Sequence, residues 1–133
     1  MDRLARKFDT ARTVVPAPIL EAVAGAKVGI IAYGSSDFAV QESRDQLLAE
    51  TGLKTSYLRL RAYPFAPSVE EFIRNHDRIY VVEQNRDGQM LKLLRMDSDP
   101  TLAAKIKSVL HYDGLPIDAR SVTDLIVAHE RAV

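Results

Sequence analysis

Ala26–Tyr33, AKVGIIAY, and Arg78–Glu83, RIYVVE, decide the fold. Both are nearly unbroken apolar runs, too short for a typical helix. Such runs suit strands buried on both faces of a parallel sheet. Gly34 closes the first run, and the polar stretch from Gln84 to Gln89 closes the second. After the first, Ser36–Thr51 reads as a helix, with Ser36 or Asp37 as cap, Val40, Leu47 and Leu48 as core stripe and Gly52 as stop. Lys54–Arg61 alternates Leu58 and Leu60 with Arg59 and Arg61, the period of a less buried, outer strand.

Working outward, Ser68–Glu71 has capping-box spacing, and Val69, Phe72, Ile73 and His76 share one helical face. Gly88–Arg95 is a short helix, Asp99-Pro100 starts another, and Ser108–Tyr112 is a short strand followed by an Asp113-Gly114 turn. Ser121–Arg131 is a final helix with Val122, Leu125, Ile126 and His129 on one face. Met1–Ala17 shows no sustained helical period and reads as a lead-in, so residues 1–25 precede a single α/β domain at 26–133. Strand and helix alternate with short connections, which makes a parallel sheet covered on both faces. The two apolar strands should be central, with Lys54–Arg61 outside the first. That order puts a switch point between their carboxyl ends, where open α/β sheets place ligands. Gly34–Asp37 should face Glu83–Gln89 there.

The 133 residues suit one domain, and 18 basic against 18 acidic residues leave a formal charge of zero. No basic field exists to favour nucleic acid. The absence of cysteine removes disulfides, thiol catalysis and cysteine-held zinc or iron–sulfur clusters from this chain. No apolar run reaches membrane-spanning length and Met1–Asp9 is charged, so a cytoplasmic setting with no membrane partner is expected.

Gly34-Ser35-Ser36-Asp37 opens a helix whose free N–H groups suit a carboxylate or phosphate; equally, Gly34 permits a turn and Ser36 or Asp37 only caps. Glu83-Gln84-Asn85-Arg86-Asp87-Gly88-Gln89 is the densest polar stretch, with Glu83 placed to orient Asn85, Arg86 or a neighbouring subunit and Gln89 adding an amide; it also suits a plain turn and cap. His76, His111 and His129 lack metal-ligand spacing and read as hydrogen-bonded core or boundary histidines, though His111 with Asp113 reaches the crevice edge. No GxGxxG, GxxxxGK[ST] or GxSxG motif is present, and no acidic cluster follows the first strand. No catalytic residue is assigned.

Five ordered blocks then carry a resemblance: Ala5–Ala11 (ARKFDTA), Gly29–Ser35 (GIIAYGS), Tyr57–Arg61 (YLRLR), Val81–Met90 (VVEQNRDGQM) and Leu110–Ile117 (LHYDGLPI). Together they resemble the C-terminal domain of the alpha subunit of 2-oxoacid:ferredoxin oxidoreductases, of the 2-oxoglutarate type. Ser36 and Phe38 depart from the Thr and Pro expected after Gly34-Ser35.

The resemblance implies a three-layer α/β/α fold like the transketolase C-terminal domain: about five mostly parallel strands and one antiparallel edge strand, placed near Thr13–Val15. It implies a complex that decarboxylates a 2-oxoacid on thiamine diphosphate, sends electrons through iron–sulfur clusters to ferredoxin and forms an acyl-CoA. Magnesium and clusters would lie in a beta subunit, and this chain alone would bind no cofactor. Its partners would be the thiamine-binding domains of the same alpha subunit and that beta subunit. Gly34, Ser35, Glu83, Asn85, Arg86, Gly88 and Gln89 would form the contact surface, with His111 and Asp113 at its edge. On that reading Glu83→Ala weakens assembly and leaves the fold nearly intact. Two other readings use the same fold: a standalone module binding a small ligand or anion in the crevice, and the matching domain of a transketolase or thiamine-dependent dehydrogenase beta chain.

Overall fold

A computed structural model describes residues 1–133. The elements, in order, are α1 (Asp2–Val14), β1 (Ile19–Glu21), β2 (Val28–Tyr33), a single 3-10 turn (Gly34–Ser36), α2 (Asp37–Thr51), β3 (Thr55–Leu60), α3 (Pro67–Arg74), β4 (Arg78–Glu83), α4 (Gln89–Asp97), α5 (Pro100–Ala103), β5 (Ile106–Leu110) and α6 (Ala119–Arg131). The sheet order is β1-β3-β2-β4-β5; β1 is antiparallel to β3 and the remaining pairs are parallel.

The apolar runs are the central strands because both their faces are covered. Val28, Ile30 and Ala32 join Val40 and Leu47 of α2 and Val122 and Ile126 of α6 in one cluster. Ile31, Ile79 and Val81 join Phe72 and Ile73 of α3 and Leu91 and Leu94 of α4 in the other. The result is three layers, α/β/α. Gly29 makes the second face possible: a Cβ there would lie 2.7 Å from Cε1 of Phe72 and 2.8 Å from Cδ1 of Ile79. Gly52 ends α2 in the left-handed region at φ 72°. Asp99 caps α5, its carboxylate accepting the Thr101 N–H, with Pro100 first in the helix.

Several expectations need correction. Met1–Ala17 is mostly helix, not an irregular lead-in: α1 runs to Val14 and buries none of its residues. Pro16 disfavours helical backbone at the residue before it, which ends α1 there. The antiparallel strand is therefore not at Thr13–Val15 but at Ile19–Glu21, where Ile19 pairs with Arg59 and Glu21 with Tyr57. With β1 on its outer side, β3 is buried at every residue but Arg59, so it is not the less buried strand expected. The Ser68–Glu71 capping box does not form, because Pro67 already starts the helix and Ala66 occupies the cap position. Neither Ser36 nor Asp37 caps α2 through its side chain. β5 starts earlier than expected, at Ile106, and Leu125 of α6 is exposed where Thr123 is buried.

Candidate functional site

The carboxyl ends of β2 and β4 lie side by side, and their following loops meet. Gln84 joins them, its Nε2 donating to Ser35 Oγ at 2.9 Å and Ser36 Oγ at 3.1 Å. Tyr33, the last residue of β2, donates its hydroxyl to Glu83 Oε1 at 3.3 Å. Burial, followed by the charge and hydrogen bond of Glu83, pushes the Tyr33 hydroxyl above its ordinary value.

Glu83 is completely buried. Its carboxylate turns onto the start of α4: Oε1 accepts the Met90 N–H at 2.6 Å and the Asn85 amide at 3.0 Å, and Oε2 accepts the Leu91 N–H at 3.1 Å. Asn85 Oδ1 takes the N–H groups of Asp87, Gly88 and Gln89 at 3.1, 2.8 and 3.4 Å. A helix start carries partial positive charge and unpaired N–H groups, so a buried carboxylate is stable there. Gly88 permits this turn with φ +61°, and a Cβ on it would lie 3.1 Å from Ser108 Oγ. Glycine meets both conditions without strain.

The start of α2 is also furnished from within. Asp37, nearly buried, accepts the Tyr57 hydroxyl at 2.8 Å and the Gln41 amide at 3.2 and 3.1 Å, with Arg59 3.8 Å away. Burial first, then Asp37, pushes the Tyr57 hydroxyl well above its ordinary value. A carboxylate in this position disfavours a second anion beside it.

The expected site residues thus divide. Glu83, Asn85, Gly88 and Gln89 come together as the self-capped turn of α4, and Ser35 meets it through Gln84. Gly34, at φ +61°, makes the turn out of β2 and faces open space. Arg86 points outward and pairs with its neighbour Asp87. His111 lies on the far side of β4, its N–H bonded to the Glu83 carbonyl at 2.9 Å. Its Nε2 is 3.0 Å from the Leu115 carbonyl and 3.1 Å from Asp113 Oδ1; both are acceptors, so Nε2 carries the proton. Beside it a cavity of about 430 Å³ is lined by Leu110, His111, Tyr112, Asp113, Ser121 and Leu125, among others. His76 and His129 are likewise bonded to main-chain carbonyls, of Phe72 and Ser108.

Other residues escaped the sequence reading. Gln84 was inside the polar stretch, but nothing in its neighbours marks it as the bridge. Phe38, Tyr63, Tyr112 and Leu115 are 85, 51, 62 and 69% exposed. They sit in segments following β2, β3 and β5, so all lie toward the carboxyl end of the parallel strands, where Arg86 also projects. Phe38 stands on the first turn of α2 and the other three in loops, with no shared sequence signal.

Fold and site together define a three-layer α/β/α domain of transketolase type with a closed strand-end junction. A split-gene transketolase, solved as an inactive beta4 tetramer, superposes with a TM-score of 0.62 at 16% identity over 83% of this chain and 40% of its own, a likeness of fold alone. The 2-oxoglutarate:ferredoxin oxidoreductase of Magnetococcus marinus, solved with 2-oxoglutarate, coenzyme A and succinyl-CoA bound, matches with a TM-score of 0.75 and 25% identity, over 90% of this chain and 21% of its own. Subunit alpha of 2-oxoacid:ferredoxin oxidoreductase 2 from Aeropyrum pernix is 27% identical over 122 residues, 88% of this chain and 18% of the relative. No family model matches. The chain resembles the C-terminal domain of such an alpha subunit, as the five sequence blocks imply. It spans about a fifth of the length of these two oxidoreductase relatives.

Proposed function

We propose that this chain serves as the C-terminal domain of a 2-oxoacid:ferredoxin oxidoreductase alpha subunit of the 2-oxoglutarate type, with a non-catalytic, docking role. Residues 26–133 form the body of the domain and 1–25 its lead-in, which supplies α1 and the antiparallel edge strand β1, in a cytoplasmic complex. The observation that carries the reading is the self-capping of α4: Glu83 and Asn85 take the N–H groups that an anionic ligand would need.

The residues present do not fit the cofactors such a complex uses. Asp37 and Glu83 place carboxylates where the diphosphate of thiamine diphosphate would seek donors. Iron–sulfur ligation lacks cysteine. Thiamine diphosphate, magnesium, iron–sulfur clusters and the coenzyme A site belong on this reading to the thiamine-binding domains and a beta subunit, and ferredoxin meets the complex there. On this reading the docking face comprises exposed Phe38, Tyr63, Tyr112 and Leu115 with Gly34, Ser35, Arg86, Gln89 and Asp113. Exposed aromatic groups of this kind are the anchors of protein interfaces. Glu83, Asn85 and Gly88 shape the turn beneath.

The test is the size of the native antigen. An antibody against this domain should detect, in native gels of source-cell extract, an assembly several times larger than 14.8 kDa. Antigen migrating only as the free chain would contradict the docking role.

A further inference from the structure

The sheet has two open edges, and one of them is strapped. On β5, the Lys105 carbonyl accepts the Ile79 N–H and the His111 N–H donates to the Glu83 carbonyl. Main-chain groups of odd-numbered residues therefore face β4, and those of Ile106, Ser108 and Leu110 face outward. An outward row of this kind invites a further strand.

Two of the three outward carbonyls are already occupied. Arg95 of α4 donates Nη2 to the Ile106 carbonyl at 2.6 Å. His129 of α6 places Nε2 3.1 Å from the Ser108 carbonyl, which can only accept, so Nε2 holds the proton. The two donors come from opposite layers of the fold. Neither side chain has another hydrogen-bond partner, so these bonds are the polar role of each.

We propose that Arg95 and His129 block strand addition along β5, and that the occupant they exclude is the β5 edge of a second copy of this chain. An incoming strand would have to displace both donors before its own N–H groups reached those carbonyls. The inference rests on the sheet edge alone and stands independently of the proposed function.

The test uses the 133-residue chain and its variants in sedimentation experiments across a concentration series, with folding checked by far-UV circular dichroism. Arg95→Ala/His129→Ala should self-associate, its average mass roughly doubling or more relative to wild type at high concentration. Adding Ser108→Pro removes an outward N–H that the pairing needs and should return the mass to the wild-type value. Arg95→Lys/His129→Gln keeps a donor at each position and should behave as wild type. If the alanine pair fails to fold, the single variants carry the test, each expected above wild-type mass. Folded alanine variants with wild-type mass throughout, or association that persists with Ser108→Pro, would overturn the proposal.

Discussion

The carboxylate of Glu83 and the side-chain carbonyl of Asn85 divide between them the four main-chain N–H groups of Gly88, Gln89, Met90 and Leu91 at the start of α4. A carboxylate at the end of the second central strand thereby fixes the helix that follows it. The contact also closes the place where an open α/β sheet would hold an anion.

Glu83 is fully buried and its carboxylate accepts four hydrogen bonds, so Glu83→Ala should cost fold stability as well as any effect on assembly. The substitution strands two N–H groups, the Asn85 amide and the Tyr33 hydroxyl. A loss of about 2–4 kcal/mol follows from orphaned buried donors. Urea unfolding of the isolated chain measures it; a change within about 0.5 kcal/mol would contradict this placement.

Gly88 and Gly34 share a φ of +61° but differ in surroundings. Gly34→Ala should cost only the left-handed backbone, about 1–2 kcal/mol. Gly88→Ala should cost more, because its Cβ also crowds Ser108 Oγ. Ser108→Ala in the Gly88→Ala background should recover part of that difference, read from thermal unfolding of the four proteins. Equal losses at both glycines would rule the crowding out.

Glu130 joins α6 to the first residues of β4. Arg78 donates to it at 2.7 and 2.8 Å, and the Tyr80 hydroxyl also donates. Burial opposes its ionisation, but the bonds from Arg78 and Tyr80 outweigh burial and hold its carboxyl below the ordinary value. A depressed folded-state pKa stabilises fully above the unfolded value, about 4.3 for Glu, and the gain is lost as pH falls through the folded one. Wild type should therefore lose stability below about pH 4.3 more steeply than Glu130→Gln. Parallel acid limbs for the two proteins would remove Glu130 from the acid response.

Phe38 and Tyr112 are exposed and belong to neither core cluster. Phe38→Ala and Tyr112→Ala should leave the unfolding midpoint of the isolated chain within about 0.5 kcal/mol of wild type. Within the native assembly, each should weaken association several-fold, measured as the bound fraction in a dilution series. Undiminished association of the double variant would place the docking face elsewhere.

Much of the fold was legible because a central parallel strand must be apolar on both faces, and Ala26–Tyr33 and Arg78–Glu83 satisfy that as written. Their adjacency, and the meeting of the two loops, followed from the alternation of elements. α1 was obscured because charged residues stand on every turn and none of its residues is buried, so no core-facing apolar stripe marks it. Gly29 reads as one more small residue in a strand; only the approach of Phe72 gives it a purpose. Glu83 misled for a similar reason. A charge at a strand end resembles surface, and its burial depends on a helix that turns back over it.

The most direct measurement is to purify the protein from source cells through a tag on this domain and assay 2-oxoacid-dependent reduction of ferredoxin in the presence of coenzyme A. The account predicts that the activity copurifies, is greatest with 2-oxoglutarate, and fractionates with an assembly much larger than the isolated chain. Tagged protein that carries no such activity with any 2-oxoacid and runs as a free 14.8 kDa chain would contradict it.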